Sequence, residues 1–179
     1  MKKIAIVALL SAFVATPALA DNSGKFYIAG DLGSASYSNV APFPNPGVIR
    51  IAGGYHFSPM LAAEVGYSIF GDSVVTTGFN SATLAARSFQ IAAVGSLPLS
   101  RQFDLTGKLG IANNSITATN TLGYNYSASQ SDLLIGFGAQ FHINSQVTVR
   151  AQYESFGKFE NIAVPMKATA VSIGIAYNF

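Results

Sequence analysis

The sequence predicts an all-β protein, an eight-stranded antiparallel up-and-down transmembrane β-barrel preceded by a cleavable signal peptide. Three observations predict it. The N-terminus has the three parts of a secretory leader, eight later segments alternate apolar with small or polar residues, and short and long connectors follow each other strictly. Together they describe an exported chain that crosses a membrane with strands.

The predicted signal peptide occupies residues 1–20. It begins with Lys2 and Lys3, continues through an apolar stretch at 4–15, and ends in small residues that predict cleavage after Ala20. The apolar stretch is shorter than the about 20 residues that a spanning helix needs, so we expect no helical anchor. The barrel domain is therefore expected at residues 21–179.

Composition limits the class of protein and of partner. The ten basic residues include Lys2 and Lys3, so the mature chain has eight basic and eight acidic residues and is formally neutral. The pI of about 8.9 therefore gives no support to a nucleic-acid partner. Charged residues form 10% of the chain, against about 25% in a typical soluble domain, too few for a water-exposed surface. Cysteine is absent, so packing and strand pairing must supply the stability.

The strand prediction rests on period-two alternation, because successive side chains of a strand point to opposite faces. Eight segments show it, and their apolar register spans residues 26–32, 49–57, 61–69, 89–97, 103–111, 133–141, 147–153 and 169–179. The opposite register carries most of the charged and larger polar side chains: Asp31, Arg50, His56, Glu64, Gln90, Asp104, Lys108, Gln140, His142, Arg150, Gln152 and Glu154. Arg87 departs from this division, since it shares the register of Phe89. We expect the apolar register to face lipid and the polar register to face the lumen.

The connectors decide between a membrane barrel and a soluble sandwich or lipocalin-like barrel, which alternation alone would also fit. Short turns are predicted around residues 58–59, 98–102 and 144–145, and long polar loops at 38–46, 71–83, 113–129 and 157–167. Short turns typically face the periplasm and long loops the outside, so both termini are expected in the periplasm. Outward aromatic residues near the short-turn ends predict an interfacial girdle of Phe26, Tyr55, Phe57, Phe103, Phe141, Tyr177 and Phe179.

Several stretches are similar to a known family: residues 25–30, 61–67, 134–141, 149–154 and 173–179. Through them, residues 24–179 resemble the OmpA-type family of eight-stranded outer-membrane barrels. The resemblance implies a bacterial outer-membrane location and an assembly signal at Ile175, Tyr177 and Phe179 for the barrel-assembly machinery, with periplasmic chaperones as further partners. Because the sequence ends at Phe179, we expect no peptidoglycan-binding domain.

Charges in the lumen are the most specific feature of the sequence. An eight-stranded barrel is only just wide enough for side chains to fill it, so charges inside must be paired. The expected lumen charge network consists of Asp31, Arg50, Glu64, Lys108, Arg150 and Glu154. Members of the resembled family carry a comparable internal network, which favours a packed plug without a transport role. A network that rearranges to open a narrow pore stays an alternative.

Candidate catalytic and metal-binding residues are few. His56 and Ser58 resemble the His-x-Ser pair of an eight-stranded lipid A deacylase, but they lie beside a short turn, away from the outer leaflet, and Ser58 before Pro59 suits a turn. His56 and His142 stand on non-adjacent strands, and we expect no carboxylate at a matching height, which makes a poor metal site. The sequence therefore predicts no catalytic residue, no metal and no cofactor.

These observations lead us to expect a non-enzymatic integral outer-membrane protein with a role in envelope integrity or surface interaction. Its expected partners are outer-membrane lipid and lipopolysaccharide, and a host or phage ligand at the loops, where Phe43, Tyr124 and Tyr126 stand among polar residues. The alternatives are a narrow small-solute or ion pore and an outer-leaflet lipid-modifying enzyme, which would need a nucleophile and a base at the loop end.

Overall fold

Eight antiparallel strands close into a barrel in the computed structural model, which describes residues 23–38, 45–77, 80–120, 125–159 and 166–179. The strands are β1 (Phe26–Ser38), β2 (Gly47–Ser58), β3 (Leu61–Thr77), β4 (Asn80–Pro98), β5 (Phe103–Asn120), β6 (Asn125–His142), β7 (Val147–Phe159) and β8 (Met166–Asn178). Each strand pairs with the next, and β1 pairs with β8. The eight-stranded up-and-down barrel is confirmed, whereas the predicted leader lies outside the described residues. No helix in the described ranges is long and apolar enough to span a membrane.

The two faces of the strands follow the predicted registers. On the outward face, Leu32, Ile51 and Phe137 are 62%, 70% and 64% exposed, whereas the inward-facing Asp31 and Arg50 are buried. Arg87 lies exposed on the outward face, as its register predicted. This arrangement reverses that of a soluble protein, so the outer wall requires an apolar surrounding.

Four strands are longer than the sequence predicted. Residues 71–83 and 113–129 were expected to be long loops, but β3 to β6 continue through most of both ranges, so that expectation was wrong. Beyond Ile111, the outward side chains of β5 are Asn113 and Ser115, and the ladder with β6 continues past them. Hydropathy alternation therefore marks only the lipid-crossing part of a strand, about 9 to 11 residues, and not its full length.

Short turns join β2 to β3, β4 to β5 and β6 to β7, as predicted, at the end of the barrel opposite the predicted long loops. In the last of them, the Asn144 Oδ1 atom accepts hydrogen bonds from the backbone N–H groups of Gln146, at 2.9 Å, and Val147, at 2.7 Å. This side-chain cap explains why Asn suits the position. Aromatic residues predicted for the girdle lie at this end, where the rings of Phe26 and Tyr55 are 4.8 Å apart.

The lumen also holds apolar layers that the sequence analysis did not predict. A loop-side apolar layer contains Val48, Phe70, Ile116, Leu134 and Phe156, all buried. The rings of Phe70 and Phe156 meet edge to face with centroids 5.4 Å apart. A turn-side apolar layer consists of Tyr27, Ala29, Ala62, Val94 and Ala176.

Candidate functional site

Six charged side chains from five strands meet inside the barrel, each at most 7% exposed. The three carboxylates balance the three cations, so their formal net charge is zero. These are the residues of the predicted lumen charge network, and the structure brings all of them together: Asp31, Arg50, Glu64, Lys108, Arg150 and Glu154.

Glu64 on β3 is the centre of the network because both of its oxygens accept two hydrogen bonds. Oε1 accepts from Lys108 Nζ, at 2.7 Å, and from Arg50. Oε2 accepts from Arg150 Nη1, at 2.8 Å, and from the Tyr27 hydroxyl, at 2.9 Å. A buried carboxylate with three cationic partners is strongly favoured in its charged form, and removing it would leave those cations uncompensated.

The other two carboxylates extend the network across the barrel. Asp31 receives two parallel hydrogen bonds from Arg150, from Nε at 2.7 Å and from Nη2 at 2.6 Å, a bidentate pair that fits the planar guanidinium. Glu154 receives a hydrogen bond from Lys108 Nζ at 2.7 Å and forms an ion pair with Arg50 at 3.1 Å. Arg50 also lies 3.7 Å from Asp31 and so touches all three carboxylates.

Two neutral side chains also belong to the network, although the sequence analysis included only charged residues in it. Gln152 Oε1 accepts from Lys108 Nζ at 2.8 Å and from Arg50 Nη1 at 3.2 Å. Tyr27 donates to Glu64. Both residues lie an even number of positions from a network charge on the same strand, so they face inward with it. The alternation of the strand could therefore have predicted that they face the lumen.

Glycines on intervening strands let charges on non-adjacent strands meet. Gly174 on β8 is paired with Asp31 on one side and with Arg150 on the other. A Cβ at Gly174 would collide with the Asp31 carboxylate. Gly136 on β6 stands in the same way between Lys108 and Glu154. Because glycine has no side chain, each of these positions leaves space in which side chains from the two flanking strands can form an ion pair.

The network lies between the two apolar layers of the lumen. On the loop side, Phe70, Leu134 and Phe156 are almost fully buried, and the Asn114 Nδ2 group donates to the Phe156 carbonyl at 2.8 Å. On the turn side, Ala62 and Val94 are buried. The loop-side layer gives the network apolar surroundings, which strengthen electrostatic attraction inside and raise the cost of leaving a charge unpaired.

A second polar cluster lies at the short-turn end. His142 Nε2 is 2.9 Å from Asp104 Oδ2, and its Nδ1 is 2.9 Å from Thr148 Oγ1, so one ring links β5 to β7. The expectation that no carboxylate stands near the histidines was therefore wrong, because Asp104 occupies the same level of β5. His56, Asp104, His142 and Thr148 line a cavity of about 40 Å³.

The remaining predictions of chemistry concern metals and catalysis. Within the described ranges, no group of three or more histidine, cysteine or acidic side chains is arranged to hold a metal ion. The Ser58 hydroxyl accepts a hydrogen bond from the Met60 backbone N–H at 3.3 Å, which is a turn contact. The structure thus gives Ser58 a contact within the turn, and the absence of a catalytic role for His56 and Ser58 stays a prediction.

The predicted assembly signal lies along the outward face of β8 and just beyond it. Ile175 and Phe179 are 59% and 63% exposed, and the rings of Tyr177 and Phe179 have centroids 5.2 Å apart. The Phe179 backbone N–H donates to the Phe26 carbonyl at 3.0 Å, next to the β1–β8 seam. The role of these residues in assembly stays a prediction.

The profile of the outer membrane protein beta-barrel domain family matches residues 5–179. A search of curated proteins found no match to the chain.

Solved structures with the same fold include three outer-membrane barrels. Ail of Yersinia pestis, in complex with the heparin analogue sucrose octasulfate, is 17% identical, with 88% of this chain and 99% of that chain covered and a TM-score of 0.66. Neisserial surface protein A is 16% identical, with 86% and 97% covered and a TM-score of 0.68. The N-terminal barrel of Pseudomonas aeruginosa OprF is 13% identical, with 88% and 100% covered and a TM-score of 0.64. Because the sequence identities are this low, the similarity to these structures shows only a shared fold.

Proposed function

The chain belongs to the outer membrane protein beta-barrel domain family, and from that premise we propose that it is a non-enzymatic integral outer-membrane protein with a closed lumen. Its role is envelope integrity or interaction at the cell surface. In this proposal the leader, residues 1–20, directs export and is removed. The barrel-assembly machinery, with periplasmic chaperones, then inserts residues 21–179 with the short turns in the periplasm.

The lumen charge network carries the proposal of a closed barrel. Its charges are balanced, buried and joined across the lumen, and the loop-side apolar layer covers them. An aqueous pore needs hydrated side chains along its length, whereas these charged side chains form ion pairs with one another. An interior filled in this way supports a structural plug rather than a transport path.

The loop end is the proposed interaction surface. There β3 to β6 extend beyond the apolar band and present paired polar side chains, such as Ser115 and Ser129, whose hydroxyls are 3.2 Å apart. We assign lipopolysaccharide as the partner around the wall and a host or phage ligand as the partner at the loops. Residues Phe43 and Tyr124, which the sequence analysis named there, lie outside the described residues, as does the side chain of Tyr126.

Planar-bilayer conductance and urea unfolding of wild type and Glu64→Ala test the closed lumen. The wild type is expected to show no steady open-pore current. Glu64→Ala leaves three cations facing two carboxylates, so it should lower the free energy of unfolding by about 3 to 5 kcal/mol and let small ions pass. Ser88→Ala is the matched control, because this buried hydroxyl has no hydrogen-bond partner among the described residues.

A steady wild-type current at the level of an open pore, unchanged by Glu64→Ala, would replace the plug with the narrow-pore alternative. The outer-leaflet enzyme has less support. Both histidines of the chain, His56 and His142, lie at the short-turn end, so no histidine is available as a general base at the loop end.

A further inference from the structure

Two grooves on the outer wall between β4 and β5 join into one amphipathic groove. The first, of about 460 Å³, has an apolar lining that includes Ile91 and Leu109. The second, of about 400 Å³, lies nearer the loop end and includes Arg87 and Ser115. Phe89 and Asn113 line both, so the two grooves are continuous.

The apolar part is lined by large side chains, Phe89, Ile91, Leu109 and Ile111, with the small Ala93 among them. Ala93 is paired with Leu109, and in the next row toward the short turns Gly95 is paired with Gly107, so the wall has little side-chain volume there. Ile91 and Ile111 form the row on the loop side. The result is an apolar channel along the lipid-facing wall, a shape that accommodates an extended acyl chain.

Arg87 begins the polar part, two residues beyond Phe89 on β4. Its cross-strand neighbours are Ile69 on β3 and Ser115 on β5. The guanidinium is exposed and forms no ion pair with a carboxylate among the described residues. An exposed cation that pairs with no carboxylate of the described ranges, at the boundary of an apolar band, is positioned for the phosphate of a membrane lipid.

Hydroxyl and amide groups continue the polar part beyond Arg87. The Asn113 Nδ2 group donates to Ser131 at 2.9 Å, and hydroxyl pairs follow at Ser115 with Ser129 and at Thr117 with Ser127, at 3.2 and 3.3 Å. These three cross-strand rows form an uncharged polar surface on the loop side of Arg87. Groups of this kind exchange hydrogen bonds with sugar hydroxyls.

The geometry points to a binding site for one phosphorylated glycolipid, with an acyl chain along Ile91 and Leu109, a phosphate at Arg87 and the sugar against Asn113 and Ser115. The inference rests on the proposed function for its orientation, since a glycolipid reaches this groove only where the loop end lies in the outer leaflet. It deepens that proposal by placing the lipid at one groove rather than around the whole wall.

Binding of lipid A to the purified barrel in detergent, measured by native mass spectrometry or microscale thermophoresis, tests the site. Arg87→Gln should weaken binding about tenfold, the effect of losing one charge-assisted contact. Ala93→Leu should weaken it independently by filling the apolar channel. The matched controls are Arg101→Gln, an exposed arginine at the short-turn end, and Ala151→Leu, an exposed outward alanine of β7, and both should bind as wild type does.

Equal lipid A affinity in wild type, Arg87→Gln and Ala93→Leu would overturn the site. Phosphatidylglycerol binding as tightly as lipid A, with the same loss in Arg87→Gln, would overturn the sugar assignment, because a phosphate alone would then suffice. Failure of the proposed orientation is distinguishable from both results. Labelling of a Thr117→Cys variant from the periplasm rather than from outside the cell would contradict the orientation, while the binding measurement on purified protein would stand.

Discussion

At the scale of single residues, the lumen network is a closed set of charges in which each member has at least two partners of opposite sign. Arg150 contacts Asp31 and Glu64, and Lys108 contacts Glu64 and Glu154. Desolvation of so many ions is costly, and only multiple short contacts offset it. The network should therefore respond to a single change as a unit.

The coupling between Glu64 and Lys108 can be measured directly. Glu64→Gln and Lys108→Met should each lower the free energy of unfolding by about 3 to 5 kcal/mol. The double variant should lose less than the sum, with a coupling of about 0.5 to 3 kcal/mol, because two carboxylates then face two cations. Urea unfolding in detergent micelles gives all four values. Glu64→Gln combined with Ser88→Ala should be additive, and additivity of the Glu64 and Lys108 effects would contradict a shared network.

Gly174 makes a second prediction at this scale. Gly174→Ala should lower the free energy of unfolding by about 1 to 3 kcal/mol, because the new methyl group collides with the Asp31 carboxylate and with the Gly30 carbonyl and so disturbs the pair of Asp31 with Arg150. Gly107→Ala is the control, since a Cβ there meets no atom within 4 Å. The same urea assay compares the two, and an equal effect of both alanines would show that the ion pair does not depend on this space.

At the scale of the strands, the sequence predicts the lipid-crossing part well and the rest poorly. Lipid on one face and packed polar groups on the other impose the alternation, as at Leu105 to Ile111 of β5. Beyond the apolar band the outward face meets water and its side chains are polar, so the alternation ends. Residues 113–117 were therefore predicted to be a loop, although they are paired with β6. Backbone hydrogen bonds do not depend on hydropathy, and here they extend the strand.

The lumen charge network could likewise be predicted from the sequence only in part. Parity places Asp31 and Arg150 in the lumen, but their pairing across 119 residues depends on the β1–β8 seam and on Gly174, which single-strand patterns do not contain. The inward position of Phe70 was available from parity with Glu64. The sequence analysis did not predict that Phe70 faces the lumen, because it assumed that large apolar residues face outward. Tightly packed barrels nevertheless need such residues inside to fill space.

Phe179 provides the prediction for a strand end. Phe179→Ala keeps the backbone hydrogen bond to Phe26 and removes only an exposed ring, so the free energy of unfolding should change by about 0.5 kcal/mol or less. Insertion in cells should nevertheless fall if the ring is part of an assembly signal. Quantifying the folded outer-membrane fraction tests this against Phe57→Ala, a girdle residue of similar exposure outside β8. A normal level of inserted Phe179→Ala protein would count against a signal.

At the scale of the whole molecule, the barrel has its ionic groups inside and its Ile, Leu and Phe side chains outside. Extraction of the mature protein should therefore require detergent, and the folded form should migrate differently from the boiled form on gels, because closed barrels resist unfolding by cold detergent. The boiled sample serves as the unfolded reference. Recovery of a folded, soluble monomer from detergent-free buffer would contradict an apolar surrounding.

The distribution of the network along the chain has a consequence for how the barrel forms. The first four strands carry Asp31, Arg50 and Glu64, a formal charge of −1, whereas the last four carry Lys108, Arg150 and Glu154, a formal charge of +1. Each half alone is thus an incomplete ionic surface, and the two surfaces are complementary. Glu64 and Lys108 join the two halves across β4, whereas Arg150 reaches Asp31 only across β8, once β1 and β8 meet. The Arg150–Asp31 contact that fills the finished barrel therefore also favours closure over partly zipped intermediates held open in the membrane.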